Sequence, residues 1–147
     1  MREIIIVILG FIAAVFDLRV KRIPNALNIA IISAWAITIT VMLLMDIETA
    51  VMTLKDSLFG LMFGGGLFLL VYTISQRGLG GGDVKFMAGA GLCLGYNGTV
   101  AAMFCGTLLA AITGLILVIL KKINRKDKIP LAPFLYVGIL IAVINPT

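Results

Sequence analysis

The chain contains no histidine, two cysteines and seven acidic residues among its 147. Without histidine, Ser-His and Cys-His nucleophilic sites, the HExxH zinc signature and most transition-metal sites are excluded. Cys93 and Cys105 stand in apolar stretches with no CxxC pairing. They indicate neither a zinc knuckle nor a disulfide framework and read as small buried hydrophobes. Charge is scarce as well: 13% of residues are charged and 61% are hydrophobic, where an ordinary soluble domain has about a quarter and about half. A globule this small cannot bury that apolar excess in water. Each crossing of about 30 Å of hydrocarbon uses roughly 20 residues. The composition therefore implies an all-α membrane protein, a bundle of about six transmembrane helices forming one domain over residues 1–147.

Charges, prolines and glycines separate six apolar segments, at residues 4–16, 26–45, 58–74, 84–96, 99–120 and 131–144. Threading six crossings puts Arg19, Lys21, Arg22, Arg77, Lys85, Lys121, Lys122, Arg125, Lys126 and Lys128 on one side, and only Arg2 and Lys55 on the other. This asymmetry predicts that the basic loops face the cytoplasm. The N-terminus, the 46–57 loop, the 97–98 turn and the C-terminus then face outward. The net charge of +5 is thus a matter of topology, not a sign of nucleic acid. A cleavable signal peptide is not expected, because Arg2 alone precedes the first apolar run and the basic cluster follows it. Segments 4–16 and 84–96 make only about 20 Å of helix each. Their polar cytoplasmic ends, Asp17 and Asp83, are expected to be drawn inward.

Five of the acidic residues, Glu3, Asp46, Glu48, Asp56 and Asp127, read as solvated surface charge. Asp17 and Asp83 differ, since each abuts a hydrophobic helix on the same predicted face, where an ionisable group is costly and usually functional. Asp83 ends the run Gly78-Leu79-Gly80-Gly81-Gly82 and precedes Val84-Lys85. Glycines there remove side-chain bulk and permit φ > 0, so an extended peptide could approach the carboxylate. The plainer reading is a glycine loop whose Asp N-caps the fourth helix. Asp17 precedes a basic stretch ending in Ile23-Pro24-Asn25, which also reads as a stop signal with a proline fixing entry to the second helix. Two carboxylates brought to one site do not both ionise easily. The charged member can activate water while the protonated one polarises a carbonyl, with no metal and no cofactor. A Ser75–Lys85 pair is formally available, but nothing around Ser75 resembles a nucleophile motif.

Asp17 with Ile23-Pro24-Asn25, followed by Gly80-Gly81-Gly82-Asp83-Val84-Lys85, resembles the type IV prepilin peptidase family. That family's pattern is an Asp about six residues before Ile-Pro-Asn, then Gly-x-Gly-Asp-x-Lys. Ile129-Pro130-Leu131-Ala132-Pro133-Phe134 also looks like the start of its last helix, with Ala132 where Gly is frequent. The resemblance implies a multi-pass inner-membrane aspartyl endopeptidase that removes the short basic leader of prepilins or prepilin-like proteins at the cytoplasmic face. It implies that Asp17 and Asp83 are the catalytic pair and that Gly80 and Gly82 shape the site. Lys85 matches the family without a role that its position explains. The basic loops would hold topology or contact anionic membrane lipid. The chain resembles the short, peptidase-only members lacking an N-methyltransferase domain. Cleavage without methylation is therefore expected, and mass spectrometry of the mature pilin N-terminus checks it: a methyl group added by this protein alone would overturn the expectation.

Two other readings use the same residues. A small proton- or cation-coupled transporter would employ both carboxylates as a relay, although it should place them near the midplane at broken helices. A structural subunit of a secretion complex would use both as ordinary helix caps.

Overall fold

The computed structural model describes residues 2–20, 23–75, 79–121 and 130–145. Among them the regular structure is helical, with no strand: α1 (Arg2–Val20), α2 (Asn25–Met45), α3 (Ile47–Ile74), α4 (Gly81–Ile119) and α5 (Ala132–Ile144). Lys21, Arg22, Arg77, Gly78, Lys122, Arg125, Lys126, Asp127, Lys128 and Ile129, all used in the sequence reading, lie outside the described residues. Three helices, α2, α3 and α4, are long and apolar enough to cross a membrane. The outer faces suit lipid, with Leu44 and Met45 each 84% exposed.

Five helical elements replace the six expected segments, and the boundaries move for physical reasons. The first segment is not short: α1 has 19 residues, about 28 Å, and carries Asp17 in its last turn. The expected 46–57 loop is helical. Asp46 alone separates α2 from α3, and its carboxylate accepts hydrogen bonds from the Glu48 and Thr49 amides and the Thr49 hydroxyl. That capping pattern starts α3 early, and its 28 residues, about 42 Å, overshoot the hydrocarbon at the charged end. The Thr49 hydroxyl holds the exposed Asp46 carboxyl below its usual range.

The fourth and fifth segments run together as α4, and the expected 97–98 turn is helical. The break falls instead at Gly95, with φ 71° and ψ −173°, a conformation open essentially to glycine alone. The direction of the chain reverses there. A β-carbon at Gly64 of α3 would lie 2.8 Å from the Met87 carbonyl oxygen and 2.9 Å from Thr99 Cγ2. In a straight helix those two α4 residues would stand about 18 Å apart. The turn is secured by Asp56, whose carboxylate accepts from the Tyr96 amide at 2.9 Å.

Small residues let these helices approach closely, as packing in lipid requires. A β-carbon at Gly60 would overlap the Gly91 carbonyl oxygen, and one at Gly138 of α5 would overlap that of Ala102. Around this seam Ile6, Ala13, Ile31, Phe86, Met87, Ala90 and Leu135 form part of the buried core. Cys93 is buried and Cys105 half-buried, both free thiols. Trp35, Tyr96 and Tyr136 are packing residues: Trp35 donates to Ser57, which also receives Arg2. Tyr136 packs on Phe11 and Tyr96 on Phe63.

Candidate active site

The end of α1 and the starts of α2, α4 and α5 meet at one end of the bundle. Pro24, with φ −62° and ψ 139°, turns the chain into α2. Ile23 then lies against Gly82, where a β-carbon would stand 3.2 Å from that of Ile23. One step on, Lys85 Nζ donates to Asn25 Oδ1 at 3.0 Å. The Ile-Pro-Asn segment and the glycine-aspartate segment, far apart in the sequence, are thus in direct contact.

Asp17 is buried, with 6% of its surface exposed. Its Oδ2 accepts from the Ala132 amide at 3.0 Å, and the carboxylate also accepts from the Leu131 backbone. It therefore seats α5, whose own N-cap residue Leu131 makes no side-chain cap bond. A carboxylate at a helix N-terminus is favoured by the unpaired amides and the helix dipole. The third sequence segment, around Pro130 and Pro133, joins the other two through this bond.

Asp83 is buried as well, at 9% exposure. It is not the N-cap of α4, since that position belongs to Gly80, with no side-chain cap bond. Its Oδ1 has no hydrogen-bond partner among the described residues. Asp17 and Asp83 are close enough to interact electrostatically. Gly80, Gly81 and Gly82 do not serve the conformational role that the sequence suggests, for Gly80 has φ −73° and Gly95 is the one described glycine with positive φ. Gly80 serves space instead: a β-carbon there would lie 2.7 Å from Asp83 Oδ2.

Lys85, engaged with Asn25, is also distinct from a Ser-Lys arrangement, because the Ser75 hydroxyl donates to the Tyr72 carbonyl. No cluster of three or more metal-ligating side chains occurs among the described residues. Sequence reasoning passed over two features near this region. The Ala132 amide as partner of Asp17 has no sequence signal, being backbone. Asn28 had one, as a polar residue inside an apolar segment.

A helical membrane bundle with two buried, interacting aspartates at one end is the class of molecule that these features define. Residues 4–119 match the type IV leader peptidase family, and the chain belongs to that family. It is 29% identical over 143 residues to the prepilin leader peptidase/N-methyltransferase of Bacillus subtilis (strain 168). That match covers 95% of this chain and 53% of the relative, so the chain spans about half the length of the curated relative it matches. No solved structure gives a significant match.

Proposed function

We propose that this chain is a membrane-embedded aspartyl endopeptidase that cleaves the short basic leader from type IV prepilins or prepilin-like proteins, with Asp17 and Asp83 as its catalytic pair. The observation that carries the reading is that two buried carboxylates, one from α1 and one from α4, stand at the same end of the bundle within electrostatic reach of each other. Two such groups share a proton more readily than they both ionise. The ionised member takes a proton from water as it attacks the scissile carbonyl, and the protonated member donates to the carbonyl oxygen. Asp83, with an oxygen unpartnered among the described residues, is the freer of the two to contact water or substrate, while Asp17 is held by the α5 amides. The test is prepilin cleavage in membranes by wild type, Asp17→Asn and Asp83→Asn at matched protein levels.

In this reading α4 crosses twice, folding back at Gly95, which makes six crossings with both termini outside. The basic end, with Arg19, Lys85 and Lys121, faces the cytoplasm of the inner membrane by the positive-inside rule, and its cations can meet anionic lipid. The transport reading is not favoured, because the carboxylates stand at the end of the bundle where helices begin, not midway along broken ones.

Gly80 and Gly82 shape the site by leaving room beside Asp83 and Ile23. Gly80→Ala should displace the Asp83 carboxylate, and a misplacement of about 1 Å costs roughly 10²-fold in rate. We expect kcat to fall by about that factor with the melting temperature little changed, measured by single-turnover cleavage alongside a thermal melt. An unaltered kcat would remove Gly80 from the site.

A further inference from the structure

Asn28 is 95% buried, its relative exposure being 5%, and neither its Nδ2 nor its Oδ1 has a hydrogen-bond partner among the described residues. Leaving both ends of an amide unpaired in an apolar bundle is costly, and a buried group of this kind calls for a partner that the described residues do not supply. Its position is fixed by its neighbours on α2 and just before it. Ile23 packs on Gly82 and Ile31 on Gly89, while Asn25 binds Lys85. Asn28 lies three residues from both Asn25 and Ile31, on the face that follows α4. By this register it is level with Phe86, one turn of α4 beyond Asp83 and one turn further into the bundle. Phe86 itself reaches α1, where a β-carbon at Gly10 would lie 3.6 Å from its ring.

We infer that Asn28 is a substrate-binding residue, whose carboxamide pairs with a peptide unit of the substrate one or two residues from the cleaved bond, on the side facing the membrane interior. The inference rests on the peptidase reading above. An extended peptide drawn into a water-poor site brings an N–H donor and a C=O acceptor with every residue, and each must be satisfied there. A carboxamide offers the matching acceptor and donor together. One helical turn is about 5.4 Å, and an extended chain advances about 3.3 Å per residue, which sets the offset from the carboxylates.

The distinguishing variant is Asn28→Leu, which keeps the number and branching of side-chain heavy atoms, is somewhat bulkier, and has no polar atoms. If the amide served only the fold, its removal would lower stability. If it waits for substrate, the unliganded protein should melt no lower than wild type, since an unpaired buried group has been removed. Cleavage of a full-length prepilin in proteoliposomes should meanwhile lose about tenfold or more in kcat/KM. A peptide spanning the leader junction should also bind about tenfold more weakly when Asn28→Leu is placed in an Asp83→Asn background. A kcat/KM within about twofold of wild type overturns the inference. Asn28→Ala, which cannot overpack but leaves a small cavity, is judged on cleavage and peptide binding per folded molecule should the leucine variant not fold. Activity per folded molecule that is unchanged in the alanine variant overturns it equally. Asp17→Asn and Asp83→Asn are run in parallel. If they are inactive while Asn28→Leu is active, only this inference fails, whereas full activity in either removes the peptidase reading and this inference with it.

Discussion

Asp83→Asn should lower prepilin cleavage by about 10³-fold or more, and Asp17→Asn should do the same. General acid–base catalysis contributes roughly 10² to 10⁴, and each member of the proposed pair depends on the other for its role. The double variant should consequently be no slower than either single one, as for groups that act as a unit. The substitutions are gentle on the fold. Asn keeps an oxygen able to accept the Ala132 amide that now bonds Asp17 at 3.0 Å. At both positions it replaces a buried ionisable group, which is expensive to hold in a membrane protein, by a neutral one. Melting temperatures equal to or above that of wild type are therefore expected in both variants. Loss of cleavage together with retained stability would assign chemistry to the carboxylates, because a helix cap or stop signal has no reason to separate the two. Full cleavage by either variant would break the pair and return attention to proton flux, which liposomes loaded with a pH dye would register.

Much of the candidate site was legible because the chemistry proposed for it rests on rare residues. In a chain with so few acids, Asp17 and Asp83 stand out at the ends of apolar segments, and the prolines and glycines beside them mark where helices start. Pro24 does open α2, and α5 begins between Pro130 and Pro133. The elements themselves were harder to delimit, since hydropathy cannot distinguish a charged loop from a helix that protrudes from the bilayer. Asp46 starts α3 eleven residues before the apolar run at 58, and neither Lys55 nor Asp56 interrupts it. The break in α4 fell at Gly95 because Asp56 waits there to receive the Tyr96 amide, a tertiary partner that no local pattern announces. Asn97 and Gly98 look more like a turn, yet are helical. Asn28 was passed over for a different reason. One amide in a long apolar segment resembles ordinary helix content until its burial without a partner is seen.

Gly60→Ala and Gly91→Ala should each destabilise the bundle severely, at or above the upper end of the roughly 1–3 kcal/mol that overpacking usually costs. A β-carbon on Gly60 would overlap the Gly91 carbonyl oxygen and stand 2.7 Å from the Gly95 carbonyl carbon; one on Gly91 would overlap the Gly60 oxygen and stand 2.9 Å from the Leu61 amide nitrogen. The obstacles are backbone atoms of a neighbouring helix, so no rotamer change relieves them. Either α3 and α4 move apart or the protein does not assemble. Separation has a functional consequence, because the first half of α4 carries Asp83, and tilting it would spoil the approach to Asp17. Each alanine should thus reduce cleavage as well as melting temperature. The double variant should cost less than the sum of the singles, since helices already parted by one methyl accommodate the second at the same gap. Gly66 on α3 is the internal control. A β-carbon there meets nothing within 4 Å, so Gly66→Ala should gain about 0.5–1 kcal/mol from reduced backbone freedom in the unfolded chain. Thermal melts in one detergent across the four variants measure all of this. A Gly60→Ala protein as stable as Gly66→Ala would mean that α3 and α4 do not touch along this seam, and the reversal at Gly95 would lose its principal support.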